Sequence, residues 1–402
     1  MRPLFLTAIG MVSAMGLGSE ATLAALRQRR SGLAPCDFAG ESLAGHVGRV
    51  RGVEEAALPP HLAGFDCRNN RLANMALEAD SFAEACAAAR ERHGAGRIAV
   101  VVGTSTSGIL SCEDAYRRRD PASGALPGDF DYTRTQDLFS LARFVRLTLG
   151  LRGPALALST ACASSARSFM DARTLIESGV SDAAVVGGAD SLCRMTLRGF
   201  AALELISPDP CRPCAAQRSG ISIGEAAGFA LIERAESTHG TGVALLGCGA
   251  TSDGYHMSAP DPRGAGAAGA MREALGSAGV PPEAVDYVNL HGTGTRANDE
   301  MEDAAVVSVF GTATPCSSTK AWSGHALGAS GILGAAIAVL CIRHGFMPGC
   351  LGVTEPDPSF RARILLDNVA GPVRLVMSNS FGFGGINCSL LFGRAGDALE
   401  VP

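Results

Sequence analysis

Four short segments rich in glycine, serine and threonine carry one cysteine, two histidines, a lysine and a phenylalanine. In chain order these residues are Cys162, His291, Lys320, His325 and Phe383. A thiol can attack a thioester, and an imidazole can donate an N–H or carry a proton near neutral pH. A glycine-rich loop can offer backbone N–H groups to an oxyanion. Together these residue types predict acyl-transfer chemistry with a cysteine as the nucleophile.

Cys162 lies between two predicted elements. The apolar run Ala155–Leu158 predicts a strand, and the stretch Ser165–Glu177 predicts a helix. A thiol at a helix N-terminus meets the positive end of the helix dipole, which predicts a lowered pKa for Cys162 and a larger thiolate fraction. Most of the 13 cysteines are expected to be structural. The strand-to-helix position and the small residues around Cys162 favour a nucleophile here.

His291 and His325 occupy two glycine-rich turns. His291 follows the predicted strand Tyr287–Leu290, at the strand end where α/β folds place reactive groups. Thr293 and Thr295 come next and offer hydroxyls to a polar ligand. Two neutral imidazoles could each donate an N–H to a developing oxyanion. A lone histidine is more often a core residue, but its position in such a loop favours a catalytic function.

Three further residues have both a functional and a structural interpretation. Lys320 is the single lysine among 34 basic residues, which indicates a position where an ammonium and a guanidinium are not interchangeable. It could hold a carboxylate, orient His325 or be a surface lysine. Glu302 could anchor the loops or be a solvated helix charge. Phe383, which lies between two glycines, could gate a pocket and present its N–H, or pack as a core aromatic.

The composition limits the class of protein. The 402 residues are 47% hydrophobic and 18% charged and include 50 glycines, which favours a compact α/β enzyme over a disordered chain. A net charge of −5 gives no reason to expect nucleic-acid binding. Scattered cysteines without a secretory signal predict reduced thiols and a cytoplasmic protein. The C-x-x-C from Cys211 to Cys214 has no second ligand pair, so no metal site is predicted.

Two apolar segments could be mistaken for export or membrane signals. The first, 3–12, is interrupted by glycine and follows a single charge, so we interpret it as a buried first strand. The second, Gly331 to Ile342, is too short to cross a bilayer and is interpreted as a core helix. No membrane association is therefore predicted.

Short apolar runs alternate with Ala-, Leu-, Arg- and Glu-rich stretches, which predicts α/β layers. The two halves show weak self-similarity, because each begins with a strand that ends in a glycine-rich segment. A polar, glycine-punctuated link over 235–242 predicts the boundary. We therefore divide the chain into an N-terminal half, 1–240, with Cys162, and a C-terminal half, 241–402, with both histidines.

The predicted elements follow from these periodicities. The strands are predicted at Leu4–Ile9, Ile98–Val102, Ala155–Leu158, Ala183–Val186, Gly228–Ile232, Val243–Leu246, Tyr287–Leu290 and Arg374–Met377. The helices are predicted at Ala21–Gln28, Arg71–Arg92, Ser165–Glu177, Gly266–Ala278, Asp299–Val309 and Gly331–His344.

Over nearly its whole length, the sequence resembles the β-ketoacyl-acyl carrier protein synthases of the thiolase superfamily. Four motifs in this order carry the similarity: Thr160-Ala161-Cys162, His291-Gly292-Thr293-Gly294-Thr295, Lys320-x4-His325 and Gly382-Phe383-Gly384-Gly385-x-Asn387. The resemblance implies an α/β thiolase fold, with duplicated βαβαβαββ halves in five layers, α-β-α-β-α. It also implies decarboxylative condensation of a cysteine-bound acyl chain with malonyl-acyl carrier protein, in fatty-acid, polyketide or aryl polyene synthesis.

The resemblance implies a role for each motif. Cys162 would accept the acyl chain, while His291 and His325 would support malonyl decarboxylation and stabilise the enolate. Lys320 and Glu302 would organise the site, and the N–H groups of Cys162 and Phe383 would form an oxyanion hole. Phe383 would also act as a gate that moves with the loop of Asp253. Thr293 and Thr295 would contact the phosphopantetheine arm.

The resemblance also implies partners. No permanently bound cofactor is expected, because the acyl carrier protein delivers the phosphopantetheine arm. Arg68, Arg71 and Arg212 match basic positions near the family's tunnel mouth and would dock this acidic carrier; scattered solvated arginines are the alternative. A dimer is implied, with an identical or a chain-length-factor-like subunit meeting the chain near 103–110. The segment 65–73 is similar to synthases of bacterial aryl polyene pathways.

The sequence departs from the family pattern at Cys214, where relatives commonly have Phe, and at Trp322, where they often have Met. Both changes could reshape the tunnel or the docking surface. Two other functions stay open. A non-decarboxylating thiolase would use a second cysteine, for which Cys388 is the nearest candidate. A chain-length-factor-like subunit would keep the fold without a nucleophile, which the presence of Cys162 argues against.

Overall fold

The computed structural model describes residues 2–41, 43–234 and 240–394. The strands of these residues are β1 Leu4–Ser13, β2 Gly16–Leu17, β3 Leu33–Pro35, β4 His46–Gly48, β5 Ile98–Gly103, β6 Ala155–Leu158, β7 Ala183–Asp190, β8 Ile223–Gly224, β9 Ala226–Glu233, β10 Val243–Ser252, β11 Tyr287–Asn289, β12 Pro315–Ser317, β13 Phe346–Met347, β14 Arg363–Ile364, β15 Val369–Ala370, β16 Leu375–Gly382 and β17 Ile386–Arg394. Twelve of them form one mixed sheet.

The two halves of this sheet have the same topology. The strand order is β6-β5-β7-β9-β1 in the N-terminal half and β12-β11-β16-β17-β10 in the C-terminal half. In each half the first three strands of this order are parallel, and the next two pairings are antiparallel. β1 and β10 pair antiparallel at the centre and join the halves. The repeated order confirms the duplication that the sequence only weakly indicated.

Helices cover both faces of the sheet and separate its halves. The helices of the described residues are α1 Gly18–Arg27, α2 Arg68–Glu78, α3 Phe82–His93, α4 Ile109–Arg117, α5 Phe139–Thr148, α6 Ser164–Glu177, α7 Arg194–Ala202, α8 Ala265–Ala278, α9 Arg296–Phe310, α10 Lys320–Ser323 and α11 Ser330–His344. The three larger apolar cores of the described residues lie between α2/α3/α5 and the N-terminal strands, around α6 and α11, and between the C-terminal strands and α8/α9. This is the predicted five-layer arrangement.

The central helices α6 and α11 occupy equivalent positions in the two halves. α6 follows β6 and precedes β7, and α11 follows β12 and precedes β16, the strands at the same positions in the other half. Their first turns are joined by a hydrogen bond from the Ile332 N–H to Ser165 Oγ, at 3.0 Å. Cys162 lies just before α6, and His325 lies just before α11. The duplication therefore brings the two residues to the same point in the middle layer.

The predicted helix Arg71–Arg92 is wrong, because the chain forms two helices, α2 and α3. Asp80 and Ser81 between them have left-handed φ angles of 54° and 55°. The Asp80 carboxylate accepts the backbone N–H of Ser19 at 3.0 Å, so it stabilises the first turn of α1. Local helix propensity gives no sign of this partner, which lies 61 positions away in the chain.

The two apolar segments are internal. β1 is buried along nearly its whole length. The helical stretch Leu327–His344 is long and apolar enough to cross a membrane, but 83% of it is buried in the molecule, which confirms the predicted core helix. Most of the predicted link over 235–242 lies outside the described residues, so the division at residue 240 stays a prediction.

Candidate active site

Cys162 lies in a tight turn between β6 and α6. Ala161 before it has a left-handed backbone, with φ 48°. The hydroxyl of Ser164 accepts the Thr160 N–H at 2.9 Å and donates to the Ala161 carbonyl at 2.6 Å. These bonds fix the turn, and the Cys162 side chain is buried, with 6% of the residue exposed.

His325 is the nearest titratable partner of the cysteine. Its Nε2 lies 3.1 Å from Cys162 Sγ, and its Nδ1 lies 2.9 Å from Ser330 Oγ. Its backbone N–H donates to the Ser222 carbonyl at 2.7 Å, and its carbonyl accepts the Gly224 N–H at 3.0 Å. Backbone and side-chain bonds together aim the imidazole at the sulfur.

His291 completes the cluster from the C-terminal half. Its ring centroid lies 5.2 Å from that of His325, at an interplanar angle of 80°. Cys162 Sγ and one nitrogen of each ring all lie within 4.8 Å of one another. Among the described residues, these three side chains are also close enough together to bind a metal ion. The positive charge of the nearby Lys320 disfavours a divalent cation at this position.

Lys320 and Glu302 hold the His291 loop. The Lys320 ammonium donates to the His291 carbonyl. Glu302 accepts the N–H groups of His291 and Gly292 at 2.8 and 2.7 Å and the Asn379 amide at 3.1 Å. Both charged side chains are buried, so the alternatives of a surface lysine and a solvated helix charge are wrong.

Burial controls the charge of this cluster. It lowers the pKa of both His291 and His325 well below 6.5, and the Lys320 charge lowers these pKa values further. Burial raises the pKa of Glu302 to about 7, while the N–H groups of Gly292 and His291 oppose that shift. Both imidazoles are therefore neutral at pH 7, and each carries a single ring proton that it can donate.

The predicted lowering of the Cys162 pKa is wrong for the free enzyme. Burial raises the pKa of this thiol to about 11, although the Lys320 charge and the N–H groups of Phe383 and Cys162 lower it. The negative charge of Asp190 raises it as well. Removal of water outweighs the helix dipole, because the dipole acts only as a fraction of a charge.

A pocket of about 430 Å³ leads to the sulfur. Its lining runs from the buried Cys162, His291 and His325 to residues at the surface, so the cysteine is accessible. Thr293 and Thr295 also line it, with their hydroxyl oxygens 2.9 Å apart.

Phe383 and Asp253 both line the pocket. Phe383 is 37% exposed, and its ring centroid is 5.7 Å from that of Phe200. The Asp253 carboxylate accepts the Asn387 amide at 2.7 Å and the Asp261 N–H at 3.1 Å. These bonds tie the loop of Asp253 to the glycine-rich segment around Phe383.

Family models match both halves of the chain. The β-ketoacyl synthase N-terminal domain matches residues 1–238, and the β-ketoacyl synthase C-terminal domain matches residues 243–354. The chain belongs to the β-ketoacyl synthase family. This membership confirms the predicted fold and the predicted class of condensing acyltransferase.

Several known proteins are similar to this chain over most of its length. Nodulation protein E of Rhizobium meliloti (strain 1021) is 34% identical over 401 residues, which cover 95% of this chain and 97% of that protein. The 3-oxoacyl-[acyl-carrier-protein] synthase 2 of Staphylococcus aureus is 31% identical over 376 residues, covering 86% and 93%. The ketosynthase ApeO of Xenorhabdus doucetiae, solved in complex with its chain length factor ApeC, is 38% identical, with a TM-score of 0.87 and 98% of both chains covered.

The other cysteines lie outside the catalytic cluster. All 13 are free. Cys388 lies in β17 with its Sγ 3.8 Å from Met170 Sδ and does not line the pocket. It therefore offers no second catalytic thiol of the kind a thiolase would need. Cys211 donates to the Lys320 carbonyl at 3.4 Å, and the neighbouring thiol of Cys350 and burial raise the pKa of Cys214.

The three predicted docking arginines have different surroundings. The Arg68 side chain is 8% exposed and bonds to Glu225 at 2.6 and 2.7 Å and to Glu54 at 2.7 Å, which argues against a docking role. Arg71 is half-buried and pairs with Asp66 at 2.6 Å. Arg212 forms no ion pair with the described residues, so its charge is available to a partner.

Arg68→Ala is expected to lower the free energy of unfolding by about 3 kcal/mol, because it leaves the fully buried Glu225 carboxylate without its cation. Urea denaturation of the two proteins measures this loss. Arg71→Ala, which breaks a more exposed pair, is the matched control and is expected to cost about 1 kcal/mol or less. Equal losses for the two variants would contradict the structural role of Arg68.

Sequence reasoning missed two residues of the site. Asp190, at the end of β7, is fully buried and accepts bonds from Thr104, Ser105, Thr106 and the Gly328 N–H. It thereby joins the loop after β5 to the loop after His325. Ser330, which contacts His325, was also missed. Ser330 gives no signal in the sequence, because serine is common at the start of a helix. Asp190 does give one, because a carboxylate at the end of an apolar strand is unusual.

Proposed function

We propose that this synthase extends acyl chains by decarboxylative condensation with malonyl-acyl carrier protein, with Cys162 as the nucleophile. The observation that carries the proposal is the 3.1 Å contact between Cys162 Sγ and His325 Nε2, with His291 beside them, at the inner end of an accessible pocket. A thiol paired with two neutral imidazoles suits a reaction that forms one oxyanion and one enolate.

In the first half-reaction the Cys162 sulfur attacks the thioester carbonyl of an acyl carrier protein. The resulting oxyanion accepts the N–H groups of Cys162 and Phe383, both of which already lower the pKa of the sulfur by hydrogen bonding. The carrier thiol leaves with the proton that Cys162 loses. Acyl-Cys162 then holds the chain for the second substrate.

In the second half-reaction the malonyl thioester loses CO2, and the electron pair of the broken C–C bond forms an enolate. N–H groups of His291 and His325 stabilise its oxygen. The enolate carbon attacks the acyl-Cys162 carbonyl, and collapse of the tetrahedral intermediate expels the Cys162 thiolate, which takes a proton from solvent. Lys320 and Glu302 keep the His291 loop in place for this step.

The pocket fits a slender arm that carries a thioester. Its lining is mostly apolar, with the hydroxyls of Thr293 and Thr295 as polar contacts for the amides of phosphopantetheine. Phe383 lines it with 37% of the residue exposed, and the bonds of Asp253 to Asn387 and Asp261 link the segment of Phe383 to a second loop. We assign Phe383 as the gate and the loop of Asp253 as the segment that moves with it.

The direct test incubates the purified enzyme with acyl- and malonyl-acyl carrier protein. Release of CO2, a 3-oxoacyl product and an acylated peptide containing Cys162 in mass spectrometry are expected. Acylation of Cys162 without malonyl-dependent CO2 release would favour a thiolase instead. An enzyme that never labels at Cys162 would favour a non-catalytic partner subunit.

Arg212 and Arg71 are proposed to dock the acidic carrier protein. Arg212→Glu is expected to raise KM for the acyl carrier protein about tenfold at low ionic strength with little change in kcat, because exposed charges act mainly on encounter. The effect should shrink as salt is added. Arg374→Glu is the control. Arg374 is exposed and directly precedes β16, at the opposite end of that strand from Gly382. An equal KM increase for both variants would reject local docking.

A partner subunit is proposed along the edge strand β6. This strand ends the large sheet, and its Leu156 is 39% exposed, as is usual for an edge that pairs elsewhere. The loop 103–110 lies beside it, after β5. ApeO pairs with a chain length factor, so we favour a heterodimer, which light scattering of the chain alone and with candidate subunits would test. The aryl polyene pathway stays a prediction.

A further inference from the structure

We propose that Ser330 is a positioning residue that holds the ring proton of His325 on Nε2, by donating its hydroxyl to Nδ1. The inference rests on the proposed condensing function and adds a residue to it. The observation behind it is the 2.9 Å contact between Ser330 Oγ and His325 Nδ1 on the side of the ring opposite Cys162.

His325 must choose between two tautomers. Because it is buried and lies near Lys320, its pKa is lowered well below 6.5, so it has a single ring proton at pH 7. That proton lies either on Nε2, which faces the sulfur at 3.1 Å, or on Nδ1, which faces Ser330. A neutral imidazole donates from one nitrogen and accepts at the other, so the partner at Nδ1 decides what Nε2 can do.

The surroundings of Ser330 make its hydroxyl the donor. Serines in helices commonly donate to a carbonyl three or four residues earlier. Ser164, the equivalent first residue of α6, does so at 2.6 Å to the Ala161 carbonyl. Within residues 2–41, 43–234 and 240–394, Ser330 Oγ has no hydrogen-bond partner other than His325 Nδ1. Its proton is therefore directed to Nδ1, which leaves the ring proton on Nε2.

The packing of α11 keeps Ser330 in this place. A Cβ atom on the next residue, Gly331, would lie 2.3 Å from the backbone nitrogen of Ala166 in α6. Only glycine permits this close approach of the two helices. The hydrogen bond from the Ile332 N–H to Ser165 Oγ also holds α11 against α6. The first turn of α11 is thus fixed against the helix that follows Cys162, and the serine cannot drift from the ring.

The Nε2–H tautomer is the one that the second half-reaction needs. An N–H aimed into the pocket can stabilise the enolate oxygen, whereas the lone pair of the other tautomer would repel it. Acyl transfer depends instead on the N–H groups of Cys162 and Phe383. A loss of the serine hydroxyl should therefore slow decarboxylation more than loading of the cysteine.

The tautomer can be measured without any reaction. Long-range ¹H–¹⁵N spectra of full-length enzyme labelled at histidine nitrogens, with His325 assigned by its loss in His325→Ala, should show the proton on Nε2. Ser330→Ala should give a mixture of tautomers, and Ser330→Thr should restore the Nε2–H form. A wild-type proton on Nδ1 would overturn the proposal, whatever the enzyme's activity.

Kinetics provide the second readout. Ser330→Ala is expected to lower malonyl-acyl carrier protein decarboxylation about tenfold, the effect of losing one hydrogen bond, while acylation of Cys162 changes less than about twofold. Ser330→Thr should recover most of the loss. Ser178→Ala, which removes an exposed hydroxyl at the far end of α6, is the control. Equal slowing of both half-reactions, or no recovery with threonine, would reject the role. Wild-type enzyme that acylates Cys162 yet releases no CO2 would refute the function itself and leave the tautomer result standing.

Discussion

Cys162→Ala is expected to reduce condensation at least about a thousandfold, because no other described thiol lines the pocket and the acyl chain then has no point of attachment. Product formation from acyl- and malonyl-acyl carrier protein, followed by mass spectrometry, measures this loss. The variant should keep its fold, since it removes a single sulfur atom, whose side-chain hydrogen bond is to His325, and small residues surround it.

Cys388→Ala is the matched control for that experiment. Cys388 is also fully buried, but it packs against Met170 in the core and should be dispensable for the reaction. Its variant is expected to condense at a rate within about threefold of wild type, at a modest cost in stability. If Cys388→Ala were as inactive as Cys162→Ala, while remaining folded by circular dichroism, a two-cysteine thiolase mechanism would replace the proposed one.

The catalytic side chains could be predicted because their signals are local. Cys162 and His291 each follow an apolar strand, and His325 stands in a glycine-rich turn. Such loops are readable from a few neighbouring residues. The strands that position them were also found, since Ala155–Leu158 agrees with β6 at both ends. The short β12 and the helices α4, α5 and α7 were missed, although α5 and α7 each carry a clear apolar face.

Properties that depend on distant partners could not be predicted in this way. Arg68 was assigned to the surface, but its partner Glu225 lies 157 positions away. The pKa of Cys162 follows from its burial by residues of both halves, which outweighs the local helix dipole. Duplication was visible only as two glycine-rich strands, because the two halves share their strand order more than their residues.

The largest effect after removal of the nucleophile is expected at the histidines. His291→Ala should lower malonyl-acyl carrier protein decarboxylation by about a hundredfold to a thousandfold, the loss seen when one oxyanion donor is removed. The ring is neutral and carries one N–H, and the variant removes the donor that the proposed mechanism places on the enolate oxygen.

Acylation of Cys162 separates this role from a general collapse of the site. Because the Cys162 and Phe383 N–H groups, not the His291 ring, would hold the first oxyanion, His291→Ala should still load an acyl chain at a rate within about tenfold of wild type. The exposed His344, at the far end of α11, supplies the control variant His344→Ala, with both rates unchanged. Parallel loss of loading and decarboxylation in His291→Ala would show that the residue maintains the loop, and the enolate would then depend on His325 alone.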